Sequence, residues 1–311
     1  MVDAMVTWFI PRDMLPWELY VLRSLAGGLR GHDVALDILS QHPGAWGTIP
    51  VLYWDAARVG ERWRHLLCPG ALWHFWGSAP PWHTLVAFRA KTVHTQWRTT
   101  GPWRGLASSF AAQNTREGEV RLWPAFDKQL LWHEGGEAPP VRCGDGCLSV
   151  LSPPERRWVK GARDALRLRG DAVQWIPWGP HPEDFGEELP LSEAIYAHWR
   201  ERGGALVLPA LPETSDGWLA AHGALMAVPV VAVSSPVLDE LLGYEGYIHV
   251  DLSRGATSDA WNEALERVAG GEGRAAAARA RQHLEVSFSA SASGEELAAL
   301  YHRICRSEAQ G

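Results

Sequence analysis

Two doubly wound, Rossmann-like α/β domains are predicted by three features of the 311-residue sequence. These are apolar runs of strand length, segments of helical period between them, and a Gly- and Pro-rich break at residues 134–146 (EGGEAPPVRCGDG), after which the alternation restarts. The break divides the chain into residues 1–146 and 147–311. With 46% hydrophobic and 21% charged residues, the chain can bury two cores of roughly 150 residues each.

The run MVTWFI at residues 5–10 fits a first buried strand, and a loop bounded by Pro11 and Pro16 follows. Residues 17–29 carry apolar side chains at helical spacing, with Gly31 placed to end the helix. Further strands are expected at residues 33–39, 48–54, 71–76, 92–97 and 119–122, and helices at 56–67 and 82–90. Beyond the break, strands at 147–151, 172–176 and 205–208 alternate with helices at 155–168 and 191–202. Residues 258–270 and 274–308 are Ala-rich and helical in pattern, with no sustained apolar heptad.

Composition narrows the partners. A formal charge of -7 gives no global attraction for nucleic acid or an acidic membrane. Arg156, Arg157, Arg163, Arg167 and Arg169 share one predicted helix, where they form either a local basic patch or a solvated face. Cys68, Cys143, Cys147 and Cys305 contain no pair of CxxC-like motifs, so no metal centre is expected, and reduced thiols suit the cytoplasm. No secretory pattern and no run of ~18 apolar residues is present, so an integral membrane segment is not expected; peripheral contact with a membrane stays open.

Residues 205–251 carry most of the functional information. They read as strand, acidic loop, small-residue helix, Pro-Val-Val-Ala strand, helix and strand. That order sets Glu213 and a helix N-terminus at the carboxyl end of a parallel strand, where free N–H groups favour a phosphate.

The motifs of this region resemble those of the retaining glycosyltransferase family four, whose two-domain architecture is called GT-B. VLPALPE (207–213) resembles the family's strand and first donor-binding glutamate. MAVPVVAVSSPVLDELL (226–242) resembles its helix, strand and following helix, and residues 279–304 resemble the terminal helices with their Phe-Ser junction. In the first half the likeness is one of order: SLAGGLRGHDVALDIL, LWHFWGS, KTVHTQW and VRLWPAFD follow one another as the family's segments do.

The resemblance implies transfer of a sugar from a nucleoside diphosphate, UDP or GDP, to an acceptor hydroxyl with retention of configuration, in a site with a central cleft and no metal. No resident cofactor is implied, because the nucleotide-sugar is a co-substrate. The leaving diphosphate needs cations and backbone dipoles, which the resemblance assigns to Lys160 with Arg156 or Arg157 one turn earlier. Glu213 would accept hydrogen bonds from donor hydroxyls, and Thr214, Ser215, Asp216 and Gly217 would bring N–H groups to the diphosphate. The family's second glutamate, a ribose contact eight residues after the first, is replaced by His222, one residue further on. The Gly-Gly of the family's first loop is likewise missing, leaving Arg12 as a phosphate partner or Asp13 as an acceptor contact.

On the acceptor side His94 is favoured as a polar contact close to the chemistry and Trp97 as a stacking wall. Eighteen tryptophans, crowded around Trp73, Trp76, Trp82, Trp97 and Trp103, offer rings to a sugar or base, or fill the core. His74 and Trp76 are therefore acceptor candidates, with a structural role for them and for His83 as the alternative. The acceptor itself is open among a saccharide, a lipid-linked glycan, a small aglycone and a modified DNA base. Two other functions share the architecture: a non-catalytic binding or scaffold protein, and a nucleotide-sugar epimerase.

Overall fold

The computed structural model describes residues 4–12, 14, 16–41, 46, 49, 51–55, 57, 72–77, 79–87, 90–96, 106–112, 115–122, 124–127, 148–152, 164–165, 173–177, 204–208, 214–253 and 258–306. The chain forms two compact α/β units, one of Met1–Asp127 with Ser289–Gly311 and the other of Lys128–Phe288. Predicted helices at 56–67 and 191–202, and all but residues 164 and 165 of that at 155–168, lie essentially outside the described residues.

In the first unit β1 (Ala4–Ile10), β2 (Val34–Ser40), β3 (Val51–Tyr53), β4 (Leu72–Trp76) and β5 (Thr92–Gln96) run parallel in the order β3-β2-β1-β4-β5. The helix α1 (Pro16–Gly28) links β1 to β2, with Pro16 at its first turn, where the missing N–H is not needed, and Glu18 facing the positive helix end. Gly31, expected to stop this helix, has φ 97° in the left-handed region that glycine enters without strain. The short helix α2 (His83–Ala87) precedes β5.

The sheet continues where the sequence showed only a short strand. β6 (Leu106–Ala112) and β7 (Thr115–Leu122) add an antiparallel hairpin beside β5, so this sheet is mixed. LASSFAA lacks an apolar run, because Ala and Ser replace the branched residues that mark strands. TREGEVRL carries four charges, and β7 is the last strand of this sheet among the described residues, where charge discourages pairing with another chain.

The second unit contains β8 (Leu148–Ser152), β9 (Val173–Pro177), β10 (Leu206–Leu208), helix α3 (Thr214–Leu225), β11 (Val230–Val233), α4 (Pro236–Leu242) and β12 (Ile248–Val250), followed by α5 (Ser258–Ala269) and α6 (Glu272–Ser287). Its five strands are parallel in the order β12-β11-β10-β8-β9. Val207, Val231, Ile248 and Val250 pack with Trp261, Leu265 and Val268 of α5 in one apolar cluster. Ser235 caps α4 by accepting a bond from the Val237 N–H at 3.2 Å.

The last helix, α7 (Ala290–Arg306), packs in the first unit, whereas the sequence reading placed it with the second. Its seat is specific. Gly28 of α1 and Gly294 of α7 meet backbone to backbone, and an added Cβ at Gly28 would lie 1.8 Å from the Ala290 carbonyl oxygen. Lys91 crosses beneath to donate from Nζ to the Ile304 and Cys305 carbonyls, placing a cation at the negative end of the helix. The Ser293 hydroxyl donates to the Pro124 carbonyl at 2.7 Å, and Phe126 bridges Ser289 where the chain leaves and re-enters this unit.

Among the described residues, Trp8, Trp54, Trp73 and Trp76 are buried in this unit. Along β4 the side chains alternate between two covered faces: Trp73 and Phe75 join Phe9, Leu39, Trp54 and Val86, while His74 and Trp76 meet Trp8 and Tyr301. Each such side chain contributes about 1.5–3 kcal/mol on burial, so a central strand buried on both faces concentrates stability in this layer.

Candidate functional site

In a doubly wound sheet the ligand crevice lies at the carboxyl ends of the strands, where the strand order reverses. In the second unit the order β9-β8-β10-β11-β12 reverses between β8 and β10. α3 begins at Thr214, six positions after β10 ends, so its first turn with Thr214, Ser215 and Asp216 belongs to this edge. The positive dipole end of this twelve-residue helix lies there, and the N–H groups of its first turn have no partner within the helix, which is an anion-favouring arrangement.

Two residues assigned to this site have structural surroundings. Gly217 is buried against α4, and a Cβ there would meet Val237 Cγ1 at 2.5 Å and Leu241 Cδ1 at 2.8 Å. Its small size serves the crossing of α3 and α4. His222 is 1% exposed in the last turn of α3, so its imidazole does not reach solvent. Arg156, Arg157, Lys160 and Glu213, like Asp13 and Trp97 of the first unit, lie outside the described residues.

In the first unit the order β3-β2-β1-β4-β5 reverses between β1 and β4. Arg12 follows β1 at that point, and it does not stand alone. Its guanidinium donates to the Asp55 carboxylate just beyond β3 at 2.5 Å, and the amide of Gln41, just beyond β2, donates to the other carboxylate oxygen at 3.5 Å. Three successive strand ends thus supply a cation, an anion and an amide to one exposed cluster. Asp55 and Gln41 were not singled out in the sequence, because one residue from each of three distant loops leaves no local motif.

His94 lies on the buried-aromatic side of β5, stacked on Phe75 at 5.0 Å and edge-on to His83 at 5.5 Å, and is partly exposed. The Nδ1 of His83 bonds the Pro80 carbonyl at 2.7 Å, which fixes a proton on that nitrogen. Burial, reinforced by neighbouring His83, lowers His94 to a pKa of about 4. At neutral pH its imidazole is uncharged, able to bond a hydroxyl but not to serve as a resident cation.

His74 and Trp76 are 0% exposed, and their rings stack on each other at 3.8 Å. Both ring nitrogens of His74 are engaged, Nδ1 with the Tyr301 hydroxyl at 2.6 Å and Nε2 with Thr95 Oγ1 at 2.5 Å. Trp8 Nε1 donates to the same Tyr301 oxygen at 2.7 Å. The relay is satisfied when Tyr301 donates to Nδ1 and the neutral ring donates from Nε2 to Thr95. Trp8, His74, Thr95 and Tyr301 thus form a buried polar tie between the sheet and α7.

Burial also holds the His74 pKa well below 6.5, first through desolvation and then through His94. Below pH 6.5 the unfolded chain therefore binds protons that folded His74 and His94 refuse. The stability from this source is complete above pH 6.5 and declines as pH falls toward about 4. Urea midpoints should drop between pH 7.5 and pH 5, with a shallower drop in His94→Gln; an equal slope in the variant would remove His94 as a source.

Among the described residues no three His, Cys, Asp or Glu side chains form a metal-binding group, and no helix is long and apolar enough to cross a membrane. The sequence matches no protein-family model and no curated protein. Solved structures are more similar in shape. A glycosyltransferase from Rickettsia africae aligns over 98% of this chain and 99% of its own, with a TM-score of 0.61 and 12% identity. AviGT4, a glycosyltransferase involved in avilamycin A biosynthesis, aligns over 97% and 98% with a TM-score of 0.53 and 14% identity. Anabaena HepE in complex with UDP and glucose aligns over 95% and 98% with a TM-score of 0.52 and 12% identity. The chain has a GT-B-like fold, two α/β units with C-terminal helices.

Proposed function

We propose that this protein is a glycosyltransferase that moves a sugar from a nucleoside-diphosphate donor to an acceptor hydroxyl, retaining the anomeric configuration and using no metal. The observation that carries the reading is the likeness in fold across nearly the whole length of glycosyltransferases of similar size. Fold alone does not assign chemistry. The reading gains support from the edge of the second unit, where strand order reverses beside the start of α3, an environment suited to a diphosphate.

The donor falls to the second unit. Lys160 with Arg156 and Arg157 offsets the charge that develops on the leaving diphosphate, as the first turn of α3 does with N–H groups; Glu213 fixes the sugar hydroxyls. The presence of UDP and glucose in HepE favours a UDP-linked donor over a GDP-linked one. The acceptor falls to the first unit, with neutral His94 as its hydrogen-bonding contact. The setting is cytoplasmic, with the membrane at most a peripheral surface.

Lys160→Ala is expected to weaken UDP binding by at least ~1.5 kcal/mol, about tenfold in Kd, as measured by titration calorimetry. Unchanged affinity would remove Lys160 from the donor site. Incubation with a panel of nucleotide-sugars, followed for released nucleoside diphosphate and glycosylated acceptor, tests the activity itself. The replacement of the second acidic residue by buried His222 favours a second reading, a non-catalytic binding protein. That reading predicts neither donor binding nor turnover, and epimerised donor without transfer would point instead to an epimerase.

A further inference from the structure

We infer that Arg12, Asp55 and Gln41 form a subsite for a neutral saccharide, which serves as the acceptor if the transferase reading above is right.

The position comes first. These residues follow β1, β3 and β2 at the carboxyl edge, and Arg12 stands where the strand order reverses. The Arg12 and Asp55 side chains are 76% and 44% exposed, and an ion pair so open to water contributes little to folding. The pair is nevertheless oriented on both carboxylate oxygens, one facing Arg12 and the other Gln41.

The chemistry then selects the ligand. A guanidinium offers several donors in one plane, a carboxylate offers acceptors, and an amide offers both, which matches the mixed donor and acceptor character of vicinal sugar hydroxyls. An exposed ring belongs to the same strand end. Tyr53, two positions before Asp55 at the end of β3, is 40% exposed, and such rings stack on the apolar face of a sugar. The charge balance excludes a phosphorylated or carboxylated ligand as the preferred one. Arg12 is already neutralised by Asp55, and an added anion would have to meet that carboxylate.

This balance gives a signature that a purely structural ion pair would not have. In Asp55→Asn the Arg12 charge loses its counter-ion, so the subsite should change its preference. Binding of a neutral trisaccharide such as maltotriose, and of its singly phosphorylated counterpart, is measured by saturation-transfer NMR and titration on the full chain. Wild type is expected to favour the neutral ligand. Asp55→Asn should weaken it about tenfold while gaining affinity for the phosphorylated one, and Gln41→Ala should weaken the neutral ligand alone. Thermal melts of the same variants establish that they are folded.

Stronger binding of the phosphorylated sugar by wild type, or equal preference in wild type and Asp55→Asn, would overturn the inference. UDP titration separates this outcome from failure of the transferase reading. A chain that binds and discriminates the trisaccharides but no nucleotide keeps the saccharide subsite and loses the transferase. A chain that binds nucleotide-sugar and transfers it, with Asp55→Asn and Gln41→Ala both equal to wild type toward every acceptor, loses the subsite and keeps the transferase.

Discussion

Gly294→Ala is expected to destabilise the first unit by about 3 kcal/mol, the upper end of what overpacking costs in a close contact. The position leaves no room: a Cβ on Gly294 would lie 2.4 Å from the Gly28 carbonyl carbon and 2.5 Å from its oxygen. Both opposing atoms are backbone, so no side-chain rotation relieves the clash, and α1 and α7 must separate. Moving them apart weakens the neighbouring contacts in turn, including the Lys91 cap at the far end of α7. Gly27→Ala is the matched comparison, since a Cβ there meets nothing within 4 Å. It should raise stability by about 0.5–1 kcal/mol through helix propensity alone. Urea unfolding followed by tryptophan fluorescence reads both variants. Equal midpoints for Gly294→Ala and Gly27→Ala would mean that the two helices do not cross at this contact.

Tyr301→Phe should cost about 2–4 kcal/mol, although only one oxygen is removed and the ring remains. That oxygen accepts from Trp8 Nε1 and bonds His74 Nδ1, and all three side chains are buried. Removing it leaves a donor and an acceptor desolvated at about 1–3 kcal/mol each, which exceeds the value of the bonds themselves. A second change distinguishes this cause from lost packing. Adding His74→Leu to Tyr301→Phe removes one stranded group, so the double variant should lose less than the sum of the two single variants. Simple additivity in urea titrations would show that the groups do not act as a relay.

Much of this architecture was legible because buried parallel strands are written as local apolar runs. MVTWFI, LWHFW and PVVAV mark strands without help from the rest of the fold, and Gly31 marks the end of α1. The β6 and β7 hairpin was hidden for the opposite reason: β7, last in the sheet, carries charges, and β6 beside it carries Ala and Ser where the parallel strands carry larger apolar residues. The partner of α7 was also beyond local reading: an amphipathic face states that something covers it, not which element does. Gly294 and Gly28 acquire meaning only when paired across more than two hundred residues.

The same limit applied to function. The reversal points of both sheets follow from strand order, which alternation alone does not fix. Asp55 and Gln41 became visible only when three loops were brought to one edge. His74, by contrast, carried the chemistry of a site residue on a strand whose two faces are both covered, so no alternation of buried and exposed positions was there to separate those roles.

The excursion of the chain through its second unit has a consequence for biogenesis. During synthesis the ribosome releases residues 1–127 long before the segment that completes their packing, while Lys128–Phe288 emerges as one continuous stretch. The middle of the polypeptide can thus mature before its beginning, and Trp8, His74 and Gly28 must wait for Tyr301 and Gly294 to leave the exit tunnel. A nascent chain halted before Ser289 would carry a finished half and an apolar, open one, the kind of intermediate that chaperones retain.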